Sequence, residues 1–261
     1  MTRALLPSLL AACLACATTS GARREDVASA RRQLARTLLD RGEPSAAREA
    51  VDPLCHGRRP DPEALGLRGV AHQRLGLERE AEEDLREALK LDGRLAFAHS
   101  ALGILLDLSG RGAEAEEHHR RAVTLAPRDA RYLNNLGFSL FARGRPRDAV
   151  PVFLEALRQD ARDVRARNNL GFAYAAGGDF ARARQEFERA GDPRQAVANL
   201  ALAYERRGSL AQAYDLYVEL GRLAPDDAEA RAGVARVAHA RGLEGPAAAA
   251  GASGAARGGG L

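Results

Sequence analysis

Apolar and small residues recur along this chain at helical spacing, and the pattern repeats every 34 residues. Leu34 and Leu38, Leu102 and Leu106, Leu136 and Leu140, and Leu170 and Tyr174 each stand four apart. That spacing puts both members of a pair on one face of an α-helix. A second apolar track runs through Val51, Leu85, Phe153 and Phe187. Small residues keep the same register, with Ala35, Gly69, Gly103, Gly137 and Gly171 in one series and Ala47, Ala81, Ala115, Ala149 and Ala183 in another. A third series, Gly42, Gly76, Gly110, Gly144 and Gly178, falls between the two apolar tracks. Small residues let antiparallel helices approach closely, and glycine takes the left-handed conformation that ends the first helix of a pair. The pattern therefore predicts helical hairpins beginning near residues 28, 62, 96, 130 and 164. One such hairpin cannot bury its apolar face alone, so each needs a neighbour.

The register shifts once. Gly171 to Ala201 is 30 residues, four short of the period, and Gly191-Asp192-Pro193 marks the shortfall. Those three residues read as helix stop, N-cap and first-turn proline. A sixth hairpin is expected from about residue 194, followed by a lone capping helix at 227–241. Residues 243–261 are rich in Gly and Ala without periodicity and read as a disordered tail. Pro53 and Pro151 fall within second helices, where each removes a hydrogen bond and favours a kink.

The block Arg131-Tyr132-Leu133-Asn134-Asn135-Leu136-Gly137-Phe138 returns as Arg165-Ala166-Arg167-Asn168-Asn169-Leu170-Gly171-Phe172. With Leu-Gly, Tyr or Leu three on, then Ala, Phe and Pro127 or Pro225, the order resembles the tetratricopeptide-repeat family, whose period is 34. Leu65, His99, Leu133 and Arg167 stand where the family pattern has Trp. The resemblance implies an all-α, right-handed superhelix of about six helix pairs plus a C-terminal cap. It also implies an interaction scaffold for proteins or extended peptides.

The N-terminus carries a separate signal. Met1-Thr2-Arg3 precedes a short apolar run to Ala12, too short for a permanent membrane span. Leu10-Ala11-Ala12-Cys13 resembles a bacterial lipobox. That resemblance implies a signal peptide at 1–12, lipidation of Cys13, and a flexible tether at 13–27 below a repeat domain at 28–242. Leu14, in place of Asp, points to the outer membrane, with the protein facing the periplasm. The alternative is cleavage after Ala17, through Ala15-Cys16-Ala17, which yields a soluble periplasmic protein. Tetratricopeptide lipoproteins of this size resemble the pilus-assembly lipoproteins of type IV and tight-adherence (Flp) systems, which implies secretin or pilus components as partners. A periplasmic scaffold for cell-envelope enzymes remains open beside it.

Composition narrows the chemistry. The formal charge is +4, and Lys90 is the one lysine, so the basic charge is almost all arginine. Arginine alternates with Asp and Glu instead of clustering, which argues against nucleic acid. No phosphate loop, dinucleotide fingerprint, HExxH or GxSxG occurs. No enzyme activity and no cofactor are expected. Cys55 is the one cysteine of the repeat region and reads as a buried apolar residue.

Two groups of residues remain as candidate sites. Asn135, Asn169 and Asn199 each stand two residues before the small site of a first helix. An amide offers donors and an acceptor, so a row of them could bond the backbone of an extended peptide. Arg131 and Arg165 lie one turn back and could hold carboxylates, and Phe138 and Phe172 could add apolar contact. The second group is His72, His99 and His119, which could meet at a seam between hairpins and take a metal.

Overall fold

The computed structural model describes residues 6–243, with side chains from residue 23 onward. Among the described residues there are thirteen α-helices, one short 3-10 helix and no strand. The chain divides into two compact units, residues 1–125 and 126–261.

Unit 1 holds three helical hairpins. These are α1 (Leu6–Asp40) with α2 (Pro44–Val51), α3 (Pro62–Arg74) with α4 (Glu78–Leu91), and α5 (Ala96–Leu108) with α6 (Gly112–Leu125). Unit 2 holds α7 (Ala130–Ala142) with α8 (Pro146–Gln159), α9 (Val164–Ala176) with α10 (Phe180–Arg189), and α11 (Pro193–Arg206) with α12 (Leu210–Leu223). The unpaired α13 (Ala228–Ala240) packs on α12 and closes unit 2.

Local chemistry sets these boundaries. Each glycine between the helices of a pair has a φ of 73–91°, and Gly208 joins the series in the last pair. Asp61, Asp129, Asp163, Asp192 and Asp227 each accept from backbone N–H groups in the first turn of α3, α7, α9, α11 and α13. Such caps contribute about 1 kcal/mol each. The four-residue shortfall falls on α10, which has 10 residues where α4, α6, α8 and α12 have 14.

Packing follows the small-residue track. A Cβ added to Gly137 would lie 2.6 Å from the Phe153 ring, and one added to Gly171 would lie 2.5 Å from Phe187. Gly69 meets Leu85 and Gly103 meets the His119 ring in the same way. In the last pair Ala201 takes this place, and the ring, Tyr217, lies on Gly233 of α13. Burying each Phe contributes about 1.5–3 kcal/mol. Tyr217 donates to Glu205, and Glu205 also accepts from Arg236 of α13, which ties the last helix down through both packing and charge.

Three expectations need correction. Leu34 is exposed, because α1 has no earlier hairpin among the described residues to cover that face; Ala35 and Leu39 carry its core contacts instead. The stretch at 13–27, expected as a flexible tether, lies within α1. Extending a formed helix needs no new nucleus, and Gly21 is the only strong breaker there. Pro151 stands inside α8, as expected. Pro53 stands in the 3-10 helix Asp52–Leu54, directly after α2 ends. The Gly/Ala-rich tail after residue 243 lies outside the described residues, as do the side chains of Cys13 and Cys16.

Candidate partner-binding face

The face in question is built by α7, α9 and α11 of unit 2. Their Asn side chains are joined from helix to helix. Asn169 Nδ2 donates to Asn134 Oδ1 at 2.9 Å, and Asn199 Nδ2 donates to Asn168 Oδ1 at 3.1 Å. Asn199 Oδ1 accepts from Gln195 at 2.9 Å. Asn199 is buried, with both ends of its amide engaged within the chain, so it is a strut and not a peptide contact. Asn169 and Asn135 stay half-buried, and Asn135 also has a partner within the chain. The row of amides is therefore first of all a set of rungs, each contributing about 0.5–1.5 kcal/mol. Sequence reading missed Asn134 and Asn168. The signal was the Asn-Asn doublet itself: the first Asn of one hairpin accepts from the second Asn position of the next.

The two arginines are not equivalent. Arg131 is held by Asp129 through Nε at 3.0 Å and Nη2 at 2.6 Å. Arg165 makes no ion pair among the described residues, although Asp163 caps its backbone N–H. The two phenylalanines also differ. Phe138 is 50% exposed, whereas Phe172 is half-buried against Phe187 in an edge-to-face contact with centroids 5.0 Å apart. Arg165 and Phe138 are thus the groups most open to a partner. In unit 1, Ile104 and Leu108 stand four apart on α5 and are both exposed, a pair that the sequence reading did not single out.

The histidines do not assemble as a seam site. Asp84 Oδ2 lies 3.1 Å from His72 Nδ1, off the axis of a proper hydrogen bond. His119 Nε2 bonds Asp107 at 3.0 Å, and its ring fills the space above Gly103. His99 pairs instead with His118, Nδ1 to Nδ1, at 2.9 Å. Among the described residues no group of three His, Cys, Asp or Glu side chains is arranged to hold a metal. His99 can face His118 because α5 and α6 pack against each other as a hairpin, a cross-helix fact that counting along α6 does not reveal.

Burial lowers the pKa of both His99 and His118; Arg86 adds to this at His118, and His118 and Arg121 add to it at His99. The Gly93 carbonyl opposes the shift at His99, and Glu114 and Glu117 oppose it at His118. A depressed folded pKa means that the folded state binds fewer protons than the unfolded one. The stabilisation is then complete above the ordinary value of 6.5 and lost as pH falls below it. Unfolding midpoints should drop between pH 7 and 5. A His99→Gln, His118→Gln variant should flatten that slope, as read by circular dichroism melts.

The fold and this face define a class: an array of helical hairpins that presents side chains for protein contact. Tetratricopeptide-repeat family models match residues 32–96 and 134–196, and a further one matches 96–121. Together they span more than half of the chain, which belongs to the tetratricopeptide-repeat family. A search of curated protein sequences finds no match.

Solved structures share the fold. Pseudomonas aeruginosa pilF aligns with a TM-score of 0.65 and 22% identity, over 82% of this chain and 99% of that one. YrrB, described as a tetratricopeptide protein with an unusual peptide-binding site, aligns with a TM-score of 0.58 and 20% identity, over 75% of this chain and 100% of that one. A MamA fragment from Desulfovibrio magneticus aligns with a TM-score of 0.54 and 24% identity, over 63% of this chain and 93% of that one. The fold is that of a protein–protein interaction scaffold.

Proposed function

We propose that this chain is a non-catalytic scaffold, anchored through lipidated Cys13 to the outer membrane and facing the periplasm, that helps a pilus or secretion complex assemble. It takes an extended segment of its partner along the face of α7, α9 and α11. The observation that carries the pilus reading is the alignment with pilF over almost the whole of that chain, in a sequence that begins with a lipobox-like motif. The exposed Phe138 and the unpaired Arg165 support contact with a partner that is apolar in part and acidic in part.

A photo-crosslinking residue placed at Phe138 tests the assembly role in cells. It should capture a secretin or pilus subunit, and Arg165→Glu should reduce that capture at least several-fold without changing the melt, since Arg165 is exposed. Capture only of peptidoglycan enzymes would replace this reading with that of a cell-wall scaffold. Cys13→Ser should move the protein from the membrane to the soluble periplasmic fraction; persistence in the membrane would remove the anchor.

A further inference from the structure

The C-terminal ends of α7, α9 and α11 line a half-open cavity of about 160 Å3. Phe141 and Phe172 form its walls, and Ala175, Ala176 and Ala203 leave the space open by being small. A cavity of roughly 150 Å3 with apolar walls takes up a benzene-sized group. Phe172 is fixed from behind by Phe187, so one wall is preformed. The rim is different in kind. Arg206 lies over the Phe172 ring with its guanidinium carbon 5.6 Å from the centroid, and Arg207 stands beside it. A second opening, of about 460 Å3, shares Ala176 and Arg207 with the first and adds Arg145 and Arg147. Its one carboxylate, Asp148, is taken by Arg145 at 2.7 Å.

Arg206 and Arg207 therefore stand at the apolar hole and Arg147 lines the adjoining opening, none of the three in an ion pair to a carboxylate among the described residues. The dipole at the end of α11 accounts for basic residues there. It does not account for Arg147, which stands in the first turn of α8, where positive charge is disfavoured. We propose that this cavity seats one large apolar side chain, aromatic or branched aliphatic, of a partner segment whose flanking residues are acidic. The apolar group fills the space between Phe141 and Phe172, and the flanking carboxylates meet Arg147, Arg206 and Arg207 as charge-assisted pairs. This rests on the reading that the chain binds extended protein segments, and it names the chemistry of such a segment. A nucleic acid would need a basic track that follows a backbone. Here the space between Phe141 and Phe172 holds about one side chain, and Arg206 and Arg207 sit around its mouth.

The test uses the full chain carrying Cys13→Ser and three fluorescein-labelled peptides. The first is a Gly/Asp/Glu decamer with one central Phe; in the second that Phe is Ala; in the third every acid is Lys. The Phe-acidic peptide should bind at least tenfold more tightly than either control by fluorescence anisotropy. Ala176→Leu, which plugs the cavity from a half-exposed position, should abolish the preference for Phe over Ala. Arg206→Glu with Arg207→Glu, both exposed, should abolish the preference for acid over Lys. Equal binding of the Phe and Ala peptides by the parent protein overturns the proposal. So does Phe preference that survives Ala176→Leu in a protein with an unchanged helical spectrum. If Ala176→Leu fails to fold, the arginine pair decides by the same criterion. Tighter binding of oligo-dT than of the Phe-acidic peptide overturns it in favour of single-stranded nucleic acid. A dimer in sedimentation that dissociates on the double arginine substitution overturns it in favour of self-association. Crosslinking from Phe138 that persists in cells bearing Ala176→Leu would leave the scaffold reading standing while this cavity drops out.

Discussion

Phe187→Ala is expected to lower the stability of unit 2 by about 3–5 kcal/mol. Phe187 is 1% exposed and sits over Gly171, edge-on to Phe172, so its removal leaves a cavity lined by rigid helices. A spectroscopic handle separates the units. The chain has five tyrosines and no tryptophan, and Tyr132, Tyr174, Tyr204, Tyr214 and Tyr217 all belong to unit 2. Tyrosine fluorescence should therefore report the loss at a much lower urea midpoint, while part of the circular dichroism signal unfolds where it did before. Repeat arrays sum local stabilities with nearest-neighbour terms, so a split transition is the expected form. A single transition unmoved in midpoint would mean that Phe187 carries little of the packing.

Gly171→Ala should cost about 1–3 kcal/mol, although alanine is the better helix former. The new methyl would lie 2.5 Å from Phe187 Cε1, closer than two carbons can approach, so α9 and α10 must separate or the ring must turn. Gly221→Ala is the control with opposite sign. Gly221 lies in α12 with nothing beyond its own stretch of helix within 4 Å of an added Cβ, so alanine should stabilise there by about 0.5–1 kcal/mol. Phe187→Val should cost clearly less in the Gly171→Ala background than in the parent, because the shared clash is then gone. That double change recreates the pairing of Ala35 and Val51, which are both buried in one cluster of the first hairpin. Additive melting temperatures in the double variant would rule out the ring contact as the cause.

The lessons differ by residue. Positions whose role is local were legible in the chain: the loop glycines take positive φ, and Leu102, Leu106, Leu136, Leu140 and Leu170 are buried. Leu34 broke the rule because a repeat pattern says which face a side chain takes, not whether a neighbouring hairpin exists to cover it. At the candidate site the chain showed that amides, arginines and phenylalanines share a face. It did not show that Asp129 occupies Arg131 while Arg165 stays open, since both arginines follow an Asp at the same distance. Asn199 looked like its counterparts until Gln195 and Asn168 were found on either end of its amide.

Period, turn and cap belong to the sequence alone here, because they depend on contacts within a few residues and recur in every hairpin. Which side chains are spent on the protein itself and which are left for a partner was decided by tertiary structure. One residue step rotates a side chain by about 100° around a helix, so a small change in tilt between neighbouring helices is enough to turn a free amide into a rung, or a row of alanines into an open seat.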